Sequence, residues 1–163
     1  MGERLNAETI DRLRTWAFLG VVVCAGLIIG LSNAVWSTTC SDFLGFITPG
    51  CYSDSGVSSE VLFGFGDGKA TATLGMALLA ISGLAFAFPG SRGTWMVWGT
   101  MVGFVTAALT ILPAQEYWSR GTISQSLMLM TAAAIPAPVL SWLFVWLDIK
   151  HEQATVNGDN AWA

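Results

Sequence analysis

Thr15 to Trp36 reads TWAFLGVVVCAGLIIGLSNAVW, and no Asp, Glu, Lys, Arg or His interrupts it. A helix rising about 1.5 Å per residue needs about 20 apolar residues to cross ~30 Å of hydrocarbon. This run meets that length. Its apolar stretch is too long for a typical secretory leader, and no clear small-x-small cleavage pattern follows it, so it is expected to stay as a helix.

Three more charge-free runs follow. Ala70–Pro89 is ATATLGMALLAISGLAFAFP, Gly93–Gln115 is GTWMVWGTMVGFVTAALTILPAQ, and Gly121–Leu147 is GTISQSLMLMTAAAIPAPVLSWLFVWL. No backbone group finds water inside a bilayer, so runs of this length are expected as helices. The expected fold is all-α and integral to a membrane. It is one domain over 1–163, an up-down bundle of four transmembrane helices at 15–36, 70–89, 93–115 and 121–147. A large outer loop spans 37–69, and tails lie at 1–14 and 148–163.

Composition agrees. Of 163 residues 53% are hydrophobic and 11% charged, with a mean hydropathy of +0.60. Soluble domains are about 25% charged. The net charge is −4 with 7 Lys and Arg, and they form no basic run, which argues against nucleic acid as a partner. The single histidine, His151, lies in the C-terminal tail. Haem ligation by intramembrane histidines and zinc or di-metal sites built on histidine are therefore not expected. Neither a metal nor another cofactor is expected.

Orientation follows from Lys and Arg. With the N-terminus in the cytoplasm, Arg4, Arg12, Arg14, Arg92 and Lys150 lie inside, against Lys69 and Arg120 outside. Both termini are then cytoplasmic, loop 37–69 is extracytoplasmic, and the plasma membrane is the expected location. The stretch NAETIDRLR before the first run reads as a short interfacial lead-in with Asn6 as its N-cap. Trp16, Trp36, Trp95, Trp98, Trp118, Trp142 and Trp146 sit near the ends of the runs and are expected as interfacial anchors.

Cys40 and Cys51 lie in the large loop, with Pro49 and Gly50 favouring a turn between them. On an oxidising outer side they are expected to form a disulfide, stabilising the loop by about 3 kcal/mol in the chain-entropy model. Cys24, inside the first helix, reads as a small packing residue. The loop also holds Phe43, Leu44, Phe46, Ile47, Tyr52, Val57, Val61, Leu62, Phe63 and Phe65, too apolar a set for a free tail. It is expected to pack as a cap on the bundle or against a partner. SSEVLFGFGDG reads equally as a short helix or a strand. Asp42, Asp54, Glu60 and Asp67, with Glu116, Tyr117 and Arg120, are expected as solvated surface.

Gly26-x-x-x-Gly30 and Gly99-x-x-x-Gly103 flatten one face of helices one and three so that another backbone can approach. Packing inside the bundle is the leading expectation, and an interface with a partner or a second copy the other. Pro136 and Pro138 each remove a backbone donor, so a kink is expected near Ala132–Ala134.

Four helices, cytoplasmic ends, a large first outer loop and a short second one resemble the claudin and peripheral myelin protein superfamily. Trp36, Cys40 and Cys51 carry the likeness, as claudins place a tryptophan shortly before a cysteine pair in that loop. The fuller tryptophan-glycine-leucine-tryptophan signature is absent, and Trp36 stands one residue further from Cys40 than the pattern has it.

No intramembrane Asp, Glu or His is available as a base or proton relay, so an enzyme is not expected. The leading expectation is a non-catalytic accessory or scaffold subunit. It would join a larger membrane complex, or itself, through helix faces and the outer loop, with the lipid bilayer as its other partner. The alternative is a small-molecule carrier or channel component, motivated by the kinked fourth helix.

Overall fold

The computed structural model describes residues 7–41, 50–56 and 67–159. Five α-helices and one two-stranded sheet account for most of them: α1 Ala7–Leu31, β1 Val35–Ser41, β2 Gly50–Ser55, α2 Asp67–Ala87, α3 Arg92–Ser119, α4 Gln125–Ala134 and α5 Pro136–Asp159. A single 3₁₀ turn, Pro89–Ser91, joins α2 to α3. Four spans are long and apolar enough to cross a membrane, α4 and α5 counting together as the fourth.

Helix one stops earlier than hydropathy implies. It ends at Leu31 rather than Trp36, and Val35 begins a strand. Ser32 and Asn33 interrupt the helix with side chains that compete for backbone groups. Beyond them Val35, Trp36, Thr38 and Thr39 are strand formers. At its other end α1 extends back to Ala7, so the amphipathic lead-in belongs to the same helix. Arg12 pairs with Glu8 at 2.6 Å and Arg14 with Asp11 at 2.6 Å along that first stretch. Asn6 lies outside the described residues. At the far end α5 continues past Leu147 to Asp159, so a helical stretch replaces most of the expected tail.

The fourth span is divided. α4 ends at Ala134, α5 starts at Pro136, and only Ile135 lies between. Pro136 and Pro138 cannot donate to the carbonyls four residues back, so the ladder is interrupted there. Ile135 itself keeps helical dihedrals, and its N–H reaches Thr131 O at 3.1 Å. Pro113 sits inside α3 without ending it.

The spans form a closed ring. α1 packs on α2 and α5, and α3 packs on α2 and α5, with α4 wedged against α1 and α3. Small residues let these helices approach. Gly75 of α2 meets Ile28 and Ile29 of α1, and Gly20 of α1 meets Leu140 of α5. Gly99 and Gly103 of α3 face α5. A Cβ on Gly99 would sit 3.5 Å from Ser141 Oγ, and one on Gly103 only 3.0 Å from Pro138 N.

Gly26 and Gly30 do the opposite. A Cβ on either would meet nothing within 4 Å, and both are exposed. The expectation that they pack inside the bundle is corrected. The buried stripe of α1 runs through Ala17, Val21, Ala25 and Ile28, and Gly26 and Gly30 point away from it. The two glycine pairs look alike in sequence, but the helix period sets them on opposite sides of the bundle wall.

The end carrying the N-terminus is closed by an ion pair. Arg14 donates to Asp148 Oδ1 at 2.8 Å, joining α1 to α5, and both side chains are largely covered. Replacing Gly103 with Val would drive side-chain atoms into the Pro138 backbone. G103V should destabilise the protein by about 1–3 kcal/mol, whereas G26A and G30A, whose added methyl meets nothing, should each raise its stability by up to about 1 kcal/mol. Thermal unfolding in a mild detergent reads the difference.

Candidate functional site

The opposite end carries a small cap. β1 and β2 pair antiparallel with Thr39 opposite Tyr52, Cys40 opposite Cys51 and Ser41 opposite Gly50. The register slips between Val35 and Ser37, as at a bulge. The connection from α3 to α4 lies along the other edge of β1. Thr38 N donates to Thr122 O at 3.1 Å, Ser124 N donates to Trp36 O at 2.9 Å, and Ser37 bridges Ile123.

Local sequence places that connection. Gly121 has φ +68, a conformation only glycine adopts at little cost. Its N–H reaches Trp118 O and the N–H of Thr122 reaches Tyr117 O, each at 3.0 Å. That pair of bonds closes α3 as a Schellman motif. Three residues later Ser124 caps α4 by accepting from Leu127 N at 3.3 Å. The same hydroxyl donates to Val35 O. One serine therefore starts a helix and ties it to a strand.

Beneath the cap lies Trp36. It is 0% exposed, and its indole N–H donates to Leu31 O at 3.3 Å. The expectation that it anchors the membrane interface is corrected, because the strand turns its ring into the core with Leu127 and Met130. The other tryptophans among the described residues are distributed as follows. Trp16, Trp98, Trp118, Trp142 and Trp146 are 40–71% exposed on the outside of the bundle. Trp95 is half-buried and donates to Ser91 Oγ at 3.1 Å.

Three segments cross over Trp36. Gly56 N donates to Ala34 O at 3.0 Å, and Gly68 N donates to Gly56 O at 2.6 Å. The approach is close enough that only glycine fits. A Cβ on Gly56 would sit 2.1 Å from Ser32 O and 2.4 Å from the Trp36 ring, and one on Gly68 2.3 Å from Ser32 O. Ser32 Oγ in turn bonds Ile28 O and lies 3.2 Å from Thr71 Oγ1, linking α1 to α2. Asp67 is 1% exposed in the first turn of α2, so its reading as solvated surface is corrected. A carboxylate there faces the positive end of the helix dipole. Tyr117 is also buried, at 5% exposure, while Glu116 and Arg120 pair on the surface.

Cys24 is a buried free thiol among the core residues of α1. Phe43, Leu44, Phe46, Ile47, Val57, Val61, Leu62, Phe63 and Phe65, together with Asp42 and Glu60, lie outside the described residues. Among the described residues no group of three or more His, Cys, Asp and Glu side chains comes together as a metal cluster would. Among the described residues the cap brings together backbone amides, the hydroxyls of Ser32, Thr71 and Ser124, the Trp36 indole and the Asp67 carboxylate.

Sequence reading missed Gly56, Gly68 and Ser124. The first two show no local signal, because their role exists only where three distant segments meet. Ser124 followed by the apolar run from Leu127 was a legible cap signal. No family model matches the chain, and neither a curated protein nor a solved structure matches it.

G68A has no room for its methyl between two backbone segments. It should open the junction at a cost of about 2 kcal/mol or more. Limited proteolysis should then cut the cap well before the helices, whereas G83A, where a Cβ meets nothing, should digest like wild type.

Proposed function

We propose that this chain is a non-catalytic integral membrane subunit that joins a larger membrane protein complex through one face of α1 and the adjoining cap. The observation that carries this reading is the outward position of Gly26 and Gly30. Glycine in a helix costs about 1 kcal/mol against alanine, and among the described residues a Cβ on either would meet nothing that offsets it. A second helix packed across that notch would recover the cost, because small residues one turn apart allow backbone-to-backbone approach. Val23 and Leu27, 60% and 48% exposed, flank the notch with apolar side chains. A helix from another subunit fills the notch in this reading, and a second copy is the other outcome of the test.

The bilayer orientation belongs to the same proposal. Arg12, Arg14, Arg92 and Lys150 gather at the N-terminal end, which we place in the cytoplasm, with the cap outside the plasma membrane. On that side the Cys40–Cys51 disulfide is proposed to pin the hairpin. What supports it is the register: directly opposed residues in an antiparallel pair have Cα atoms about 4.5–5.5 Å apart, within the range a disulfide spans. Alkylation in denaturant without reductant should label Cys24 alone, and after reduction all 3 cysteines. Three labelled thiols before reduction would remove the bond from the proposal. The likeness to the claudin superfamily is proposed on the same Trp36, Cys40 and Cys51.

The carrier or channel alternative draws on the break at Ile135. Packing beside that break weighs against it, since Ala133, Ala134 and Ala137 are buried and Gly103 touches Pro138.

Extraction in mild detergent followed by chemical crosslinking tests the leading reading. Wild type should migrate with a bound membrane protein, and the double variant G26I/G30I should run as a folded monomer. A wild type that is already monomeric and crosslinks to nothing sinks the proposal.

A further inference from the structure

At the end opposite the cap, α1, α2, α5 and the start of α3 enclose a cavity of about 270 Å³. Its floor is apolar. Phe18 and Phe144 lie there with ring centroids 6.2 Å apart and planes tilted by 52°. Its rim is apolar as well, formed by Leu19 and Phe86, which are 45% and 72% exposed and face outward from the bundle. Two guanidinium groups, Arg14 and Arg92, stand at its polar end.

The two cations differ in what they already hold. Arg14 is neutralised twice, by Asp11 at 2.6 Å and Asp148 at 2.8 Å. Arg92 donates through Nε to Ala85 O at 3.2 Å, near the C-terminus of α2. Among the described residues it makes no ion pair. A half-buried guanidinium beside aromatic rings, with its two terminal nitrogens unspent, is an incomplete arrangement. Desolvating a cation is costly unless an anion completes it, and a guanidinium presents a planar fork that matches a phosphate.

The shape fixes the kind of anion. A free phosphate would use the Arg92 end and leave the aromatic floor wet or empty. A molecule with a phosphate and a hydrocarbon tail would use both ends. The tail would leave between Leu19 and Phe86, on the outer wall where the bilayer lies. Basic pockets between transmembrane helices at headgroup depth are suited to anionic lipids. The volume fits a headgroup and the first part of the chains, not a whole lipid, so the rest of the molecule stays in the leaflet.

We propose that this cavity binds one anionic phospholipid of the adjacent leaflet, its phosphate on Arg92 and its acyl chain running out past Leu19 and Phe86. The site rests on the bilayer-spanning reading and is independent of any protein partner. It links all four spans, because the lipid touches α1, α2, α3 and α5 at once.

Native mass spectrometry of the full chain, with phosphatidylglycerol or phosphatidylcholine added to the detergent, tests the proposal. Wild type should retain phosphatidylglycerol about fivefold better. R92Q should reduce that preference below about twofold, R92K should keep most of it, and K69Q, at the other end of α2, should match wild type. F86E places a like charge at the exposed rim. It should also lower retention, and it gives a second measure if R92Q does not fold. A preference that survives both R92Q and F86E overturns the site. Displacement of the lipid by equimolar inorganic phosphate overturns the lipid as its ligand.

Discussion

A backbone amide inside hydrocarbon has no water to turn to, and that constraint orders this molecule. Within the spans the helices satisfy their own amides and carbonyls. The chain leaves helical geometry only where other partners are ready. At the cap, the amides of Gly56, Gly68, Thr38 and Ser124 each find a carbonyl from a different segment. Helix α3 closes on its own carbonyls through Gly121 and Thr122, and Ser124 opens α4 three residues later. The interruption at Ile135, just before Pro136 and Pro138, is tolerated for a related reason. Proline carries no N–H that could go unpaired, although the carbonyls of Ala132 and Ala134 lose their usual donors, and the flanking small residues bring α3 close.

Close approach is the second theme, and it depends on missing side chains. Gly103 against Pro138, Gly75 against Ile28 and the stack of Ser32, Gly56 and Gly68 are all contacts that one methyl would disturb. Lipid tails are as apolar as leucine, so burying leucine between membrane helices gains little over leaving it in lipid. Packing and hydrogen bonds must then hold the helices together. The buried hydroxyls serve this: Ser32 reaches Thr71 across the α1–α2 contact, and Thr131 lies 3.5 Å from Thr110 O across α3 and α4. Ser141 Oγ is buried with no partner; nothing in the structure explains it.

Much of the fold was legible because charge-free length is an unambiguous signal. All four apolar runs appear as spans, offset by a few residues at their ends. Facing was not legible. In a soluble helix apolar residues mark the buried side, but here lipid and core are both apolar, so Gly26 and Gly99 look identical in sequence. Trp36 was misread for the same reason. A tryptophan at the end of an apolar run suits the headgroup region, and nothing local reveals that the chain becomes a strand there. Asp67 was misread because its burial depends on a helix start meeting the hairpin, a contact between distant segments. Arg92 was legible only as a counted positive charge, and its lack of a carboxylate partner emerged from the placement of Arg14, Asp11 and Asp148.

The two ends of the bundle are therefore built on different physics. The cap end is tied mainly by short, neutral backbone bonds around a buried indole. The other end is tied by the Arg14–Asp148 pair, which solvent partly reaches and salt weakens. An ion pair of that kind adds little to stability by itself. It does fix charge in space, keeping Asp148 bonded to Arg14, so that Arg92 makes no ion pair among the described residues. The exposed glycine notch on α1 is where the proposed protein contact would form. An end held by charges, with Arg92 making no ion pair among the described residues, is where the proposed lipid would bind. In the proposed reading, a protein partner holds one end of this chain and an anionic lipid occupies the other.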